Sequence, residues 1–130
     1  IYTGTKTHTS GSILVHVPEQ NVLFTGDILF TDFHPYLGEG DLTGWEKTLD
    51  RISAMNIENI IPGHGPLSGN TDIEDMKTYL TVFDKKATKL CATGKDLEKL
   101  TKAMLEAVPK RSDGAFIVDL NLRTRYLNTQ

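Results

Sequence analysis

Between Ser12 and Val17 apolar positions alternate, with Ile13, Val15 and Val17 on one face and Ser12, Leu14 and His16 on the other. That period of two predicts a β-strand. Pro18-Glu19-Gln20-Asn21 supplies a turn, and Val22-Leu23-Phe24-Thr25 a return strand, so the segment predicts a hairpin. The period then lengthens. Thr43 and Glu46 form a capping-box pattern, and Trp45, Leu49 and Ile52 recur at helical spacing, which predicts a helix to about Met55. Asn59-Ile60-Ile61 is short, β-branched and stopped by Pro62-Gly63, and it predicts another strand with His64 at its C-terminal end.

Near Ser68 the pattern changes for good. Thr71 and Glu74 repeat the capping-box spacing, and Ile73, Met76, Leu80, Phe83, Ala87 and Leu90 follow three or four apart, predicting one long amphipathic helix broken at Gly94. Leu97, Leu100 and Met104 mark a further helix ending before Pro109. After Ser112-Asp113-Gly114 a last helical segment carries Phe116, Leu120 and Leu127. The chain reads as a single domain over 1–130, with sheet and loops in 1–68 and a helical extension in 69–130.

Composition narrows the function classes. A chain of 130 residues, 38% hydrophobic and 24% charged, is long enough to bury about two-thirds of its unfolded surface in one domain. A net charge of -3, with Lys and Arg scattered among Asp and Glu, gives no basic stripe for nucleic acid or for an anionic membrane. No apolar run approaches the length of a membrane span. The sole cysteine, Cys91, forbids an intrachain disulfide and favours a cytoplasmic setting.

Three residues stand out for their chemistry: His8 in Thr7-His8-Thr9-Ser10-Gly11, Asp27 in Thr25-Gly26-Asp27, and His64 in Pro62-Gly63-His64-Gly65-Pro66. Each is expected at the mouth of a loop that follows or flanks a strand-like run. Two imidazoles and a carboxylate among small residues are the types that hold zinc or a similar divalent ion. Taken singly, either histidine reads as a surface loop residue and Asp27 as a turn or capping carboxylate. His16, opposite the Val15 and Val17 face, reads as a solvated strand position. His34 either lines a substrate pocket or serves ordinary His-Pro turn chemistry. Trp45 reads as core, and Cys91 as an inertly packed thiol.

Taken together, His8-Thr9-Ser10-Gly11, Gly26-Asp27 and Pro62-Gly63-His64-Gly65 resemble the C-terminal half of a metallo-β-lactamase-superfamily hydrolase. The likeness covers residues 5–68 by motif and the helical remainder by order of elements. It implies an α/β fold, the second half of an αββα sandwich plus C-terminal helices. Residues 12–25 and 59–61 would share one sheet, and the 43–55 helix would lie on its outer face. It further implies a two-metal site at the sandwich edge, with His8 on the first metal, His64 on the second and Asp27 bridging. Zinc is the expected metal, with iron or manganese as alternatives. A carboxylate between two dications offsets their repulsion. Such ions bring the pKa of water down to about 7, so the implied reaction is hydrolysis of an ester, thioester or comparable small molecule.

Two departures from the family pattern refine this. Where the well-known zinc β-lactamases carry a cysteine ligand this chain has Asp27, as glyoxalase II and the hydrolases similar to it do, which argues against β-lactamase activity. The run Phe33-His34-Pro35-Tyr36-Leu37-Gly38-Glu39-Gly40-Asp41-Leu42 followed by Gly44-Trp45 resembles a branch described as metal-dependent hydrolases. The family's H-x-H-x-D-H motif is not found among the four histidines here, His8, His16, His34 and His64. Each metal would then have at most two ligands from this chain, short of the three or four that hold zinc. With Ile1 in place of an initiator Met, the chain reads as a fragment, inactive until an N-terminal half of the same protein completes the site. A competing expectation is a non-catalytic binding or scaffold module that kept the fold without the metals. Half a sandwich also exposes a sheet edge and an apolar face, which invites pairing of two copies.

Overall fold

A short strand, β1 (Tyr2–Thr3), pairs antiparallel with β2 (Ile13–Val17), and a 3-10 turn at Pro18–Gln20 leads into β3 (Val22–Phe30). In this computed structural model, which describes residues 2–3 and 6–127, the hairpin of β2 and β3 is continued by a parallel strand, β4 (Asn59–His64). Helix α1 (Leu42–Ala54) makes the crossover that a parallel pair requires, and the sheet order is β1-β2-β3-β4. Helices α2 (Asn70–Thr93), α3 (Leu97–Ala107) and α4 (Phe116–Asn121) follow, and α4 runs on into a π-helical turn at Leu122–Leu127. The fold is mixed α/β, with one small sheet and four α-helices among the described residues. None of these helices is long and apolar enough to cross a membrane.

Helical periodicity located the core well. Trp45, Leu49 and Ile52 of α1 and Ile73, Met76, Leu80, Phe83 and Ala87 of α2 are all fully buried, each large side chain gaining roughly 1.5–3 kcal/mol over exposure. The capping boxes fall elsewhere. α1 starts at Leu42 with Asp41 at its N-cap, and Glu46 instead accepts a hydrogen bond from Thr81 Oγ1 of α2 at 2.9 Å. α2 starts at Asn70, where Asp72, not Glu74, turns back to accept from the Gly69 N–H at 2.9 Å. In α4 the buried side is Ile117, Val118 and Asn121, while Phe116 and Leu120 face outward.

The alternation in β2 is real, but its faces are the reverse of the expectation. Leu14 is buried, and with Leu23 and a half-buried His16 it lines a groove of about 310 Å³ closed by Thr48, Arg51, Ile52 and Met55 of α1. The opposite face is the open one. Val15 pairs with Phe24 and Phe24 with Ile61, a cross-strand apolar row in which Phe24 is 43% and Ile61 37% exposed. Both faces of this sheet are apolar, so alternation alone does not say which one the helices cover.

Candidate metal centre

Each motif builds its own local geometry. The His8 turn is tied by its hydroxyls: Thr9 N–H donates to Ser12 Oγ at 3.1 Å and Gly11 N–H to Thr9 Oγ1 at 3.2 Å. The half-buried His8 ring stands edge-on to Trp45 with centroids 5.4 Å apart, and 5.7 Å from Phe30. Burial holds its imidazole below the ordinary histidine pKa, against the opposing pull of Asp27 and Glu39.

Asp27 lies inside β3, not in a loop after it, because the strand continues to Phe30. The parallel ladder pairs Phe24 with Ile61, Gly26 with Pro62 and Phe30 with His64, so β3 carries extra residues around Asp27. Such bulges re-aim a side chain. Gly26 adopts φ +50°, a left-handed conformation that suits glycine, and a Cβ on Gly63 would overlap the Asp27 carboxylate. The Gly-Asp and Pro-Gly-His strings are therefore two sides of one close approach. His64 ends β4, where its carbonyl accepts from Thr31 N–H at 3.0 Å and its ring stacks against both Phe30 and Phe33, with centroids 5.0 and 4.6 Å away.

Three separate turns of sequence are thus brought together. His64 Nε2 lies 3.5 Å from Asp27 Oδ1, each side chain 44% exposed. Asp27 and His8 share a cleft of about 400 Å³ with Thr9, Ser12, Ile13, Thr25 and Gly26. The larger groove of about 680 Å³, between α3 and α4 and lined by Leu97, Thr101, Leu105, Asp119 and Arg123, contains neither histidine nor cysteine. As a donor set, two imidazoles and a carboxylate suit a borderline cation such as zinc. Among the described residues no three His, Cys, Asp or Glu side chains close around a single ion, so the residues present fit part of a centre.

His34 is placed differently. It is 3% exposed, and its Nδ1 lies 2.7 Å from the Tyr79 hydroxyl of α2. It is not among the residues lining the cleft beside His8; burial, then the nearby Arg111 guanidinium, lowers its pKa. Trp45 does more than fill the core. Its indole N–H donates to Ile28 O at 2.7 Å, pairing a carbonyl in the irregular stretch of β3 next to Asp27. The signal for this was available: a buried indole must find an acceptor.

Comparison with known proteins follows the motifs. Residues 1–64 match the family profile of the metallo-beta-lactamase superfamily. A protein named metallo-beta-lactamase type 2, from Bacteroides fragilis, is 31% identical over 87 residues, which cover 63% of this chain and 35% of that protein. Acyl-coenzyme A thioesterase MBLAC2 of Homo sapiens is 31% identical over 62 residues, 44% of this chain and 22% of the relative. Among solved structures, a metallo-beta-lactamase family protein from Thermus thermophilus superposes with a TM-score of 0.65 at 22% identity, over 95% of this chain and 42% of the other. In sequence, the chain spans about a third or less of these curated relatives.

Proposed function

We propose that this chain, whose residues 1–64 match the metallo-beta-lactamase superfamily profile, is part of a member of that superfamily and that the whole protein is a metal-dependent hydrolase of small esters or thioesters. The observation that carries this reading is the placement of Asp27: its carboxylate is 3.5 Å from His64 and shares a cleft with His8. Zinc is the metal proposed, a second divalent ion being accommodated by Asp27 as the shared ligand. When bound, such ions activate water at neutral pH and polarise a carbonyl.

The chain's own residues prepare that site. His8 and His64 present imidazole nitrogens, and the rings of Trp45, Phe30 and Phe33 restrict how these imidazoles can turn. Asp27 supplies the anionic oxygens, and Gly63 keeps the space they occupy. Aspartate at position 27 supports a glyoxalase II-like branch in place of a β-lactamase, and the thioesterase named among the relatives supports a thioester as one substrate class. The remaining ligands are proposed to come from a preceding half of the same protein, packed on the open sheet face that carries Val15, Phe24 and Ile61.

The test is a substrate panel with the zinc-loaded full-length protein: p-nitrophenyl acetate, an acyl-coenzyme A thioester and a chromogenic cephalosporin. Turnover of an ester or thioester that disappears in Asp27→Ala is the expected result. Cleavage of the cephalosporin alone would return the protein to the β-lactamases, and no zinc uptake with no turnover would make it a scaffold.

A further inference from the structure

Beyond the superfamily-matched segment, the last helical stretch reaches back to the loop that follows β3. Asn121 of α4 is fully buried and turns both ends of its carboxamide to that loop's backbone. Leu37 N–H donates to Asn121 Oδ1 at 2.7 Å, and Asn121 Nδ2 donates to Pro35 O at 2.8 Å. One turn later Arg125 Nη1 donates to Leu37 O at 3.0 Å and to Gly40 O at 2.7 Å. An apolar residue at 121 would pack beside the buried Val118 and Leu122 but would leave the buried Leu37 N–H and Pro35 O without these partners, so the carboxamide supplies the loop with pairing that no helix or strand gives it. The π-helical turn at Leu122–Leu127 is a geometry often found at functional sites. Here Arg125 reaches the loop while Tyr126 donates to Asp84 of α2 at 2.8 Å.

The loop so held is the one on which His8 rests. Leu37 is fully buried, and Gly40 N–H donates to Leu37 O at 3.1 Å. The next residue, Asp41, donates its N–H to Thr7 O at 2.9 Å, the carbonyl immediately before His8. Tyr36 is folded over Gly38, where a Cβ would collide with its ring, and stands edge-on to His8 with centroids 6.2 Å apart. An unbroken run of hydrogen bonds therefore leads from the C-terminal helix through Pro35–Asp41 to the backbone at His8.

We propose that Asn121 and Arg125 are positioning residues for His8, fixing the Pro35–Asp41 loop as the platform of the candidate metal centre; this rests on His8 being a ligand. Orienting groups behind a metal ligand typically account for a ten- to hundredfold change in metal affinity.

The test uses the full-length protein, with Arg125→Met keeping the aliphatic stem, Arg125→Lys restoring a donor, and His8→Ala as the control. In Arg125→Met, amide hydrogen exchange at Leu37 and Asp41 should quicken about tenfold while α2 amides such as Leu80 stay protected, and zinc affinity by chelator competition should fall about tenfold. Arg125→Lys should recover most of both, and Asn121→Leu should repeat the loss at the Leu37 amide. Unchanged exchange at Asp41, or unchanged zinc affinity in Arg125→Met when His8→Ala loses zinc, overturns the positioning role alone. Unchanged zinc affinity in His8→Ala overturns the ligand reading and the positioning role with it.

Discussion

Replacing Trp45 by Phe separates the two duties of that side chain. Trp45 is fully buried, and its indole N–H is 2.7 Å from Ile28 O, in the part of β3 where ladder pairing is interrupted. Phenylalanine keeps a ring against His8 but removes the donor. Leaving a buried carbonyl unpaired costs about 1–3 kcal/mol. The smaller ring leaves a void on the order of 40 Å³, adding roughly 1 kcal/mol at about 24 cal/mol per Å³. The expected loss is therefore about 2–4 kcal/mol, or a fall in Tm of roughly 10 °C for a domain this size. Phe83→Leu is the control. Phe83 is fully buried and engages no hydrogen bond through its side chain, so its truncation should cost only about 1–1.5 kcal/mol. Urea unfolding of both variants, with m-values compared to exclude changes in the unfolded state, gives the difference assigned to the carbonyl. Equal losses in the two variants would refute the argument, because the void would then explain everything.

Two further outcomes follow from the same geometry. Asp27→Ala should abolish binding of both metals in the full-length protein, whereas His16→Ala, in the groove under α1, should leave metal content by elemental analysis unchanged. Equal retention in both would contradict the role of Asp27. Burial lowers the pKa of His34 and of His8 in the folded state. The unfolded chain therefore binds protons first, and stability should fall as pH drops below the ordinary histidine value of about 6.5. His34→Gln should remove its share of that slope between pH 7 and 5 in urea titrations; an unchanged slope would show that His34 does not contribute.

Much of the fold was legible from local pattern. The α2 stripe from Ile73 to Ala87 repeats often enough that only one face can be apolar, and that face is the buried one. The caps were less legible. Thr43-Glu46 and Thr71-Glu74 both have the capping-box spacing, yet Glu46 is taken by Thr81 across the α1–α2 contact, and in α2 the helix starts two residues earlier so that Asp72 is the one that turns back to Gly69. The three motifs named the donor types, but nothing in Gly26-Asp27 told that β3 runs on to Phe30 and bulges. A bulge depends on the partner strand, which lies more than thirty residues away.

Local sequence was enough for the hairpin of β2 and β3, for β4 and the order of the helices, though not for β1, and for the apolar stripe of α2 and the glycines beside Asp27 and His64. Packing across the molecule chose the face of β2 that meets α1, turned His34 toward Tyr79, and set Trp45 and Asn121 to bond backbone beside the candidate centre. The division has a physical cause. Periodicity and turn chemistry act within a few residues and are written in neighbouring letters. By contrast, a strand's inner face, a bulge and a buried carboxamide's partners depend on segments up to 86 positions distant, which meet only when the chain is folded.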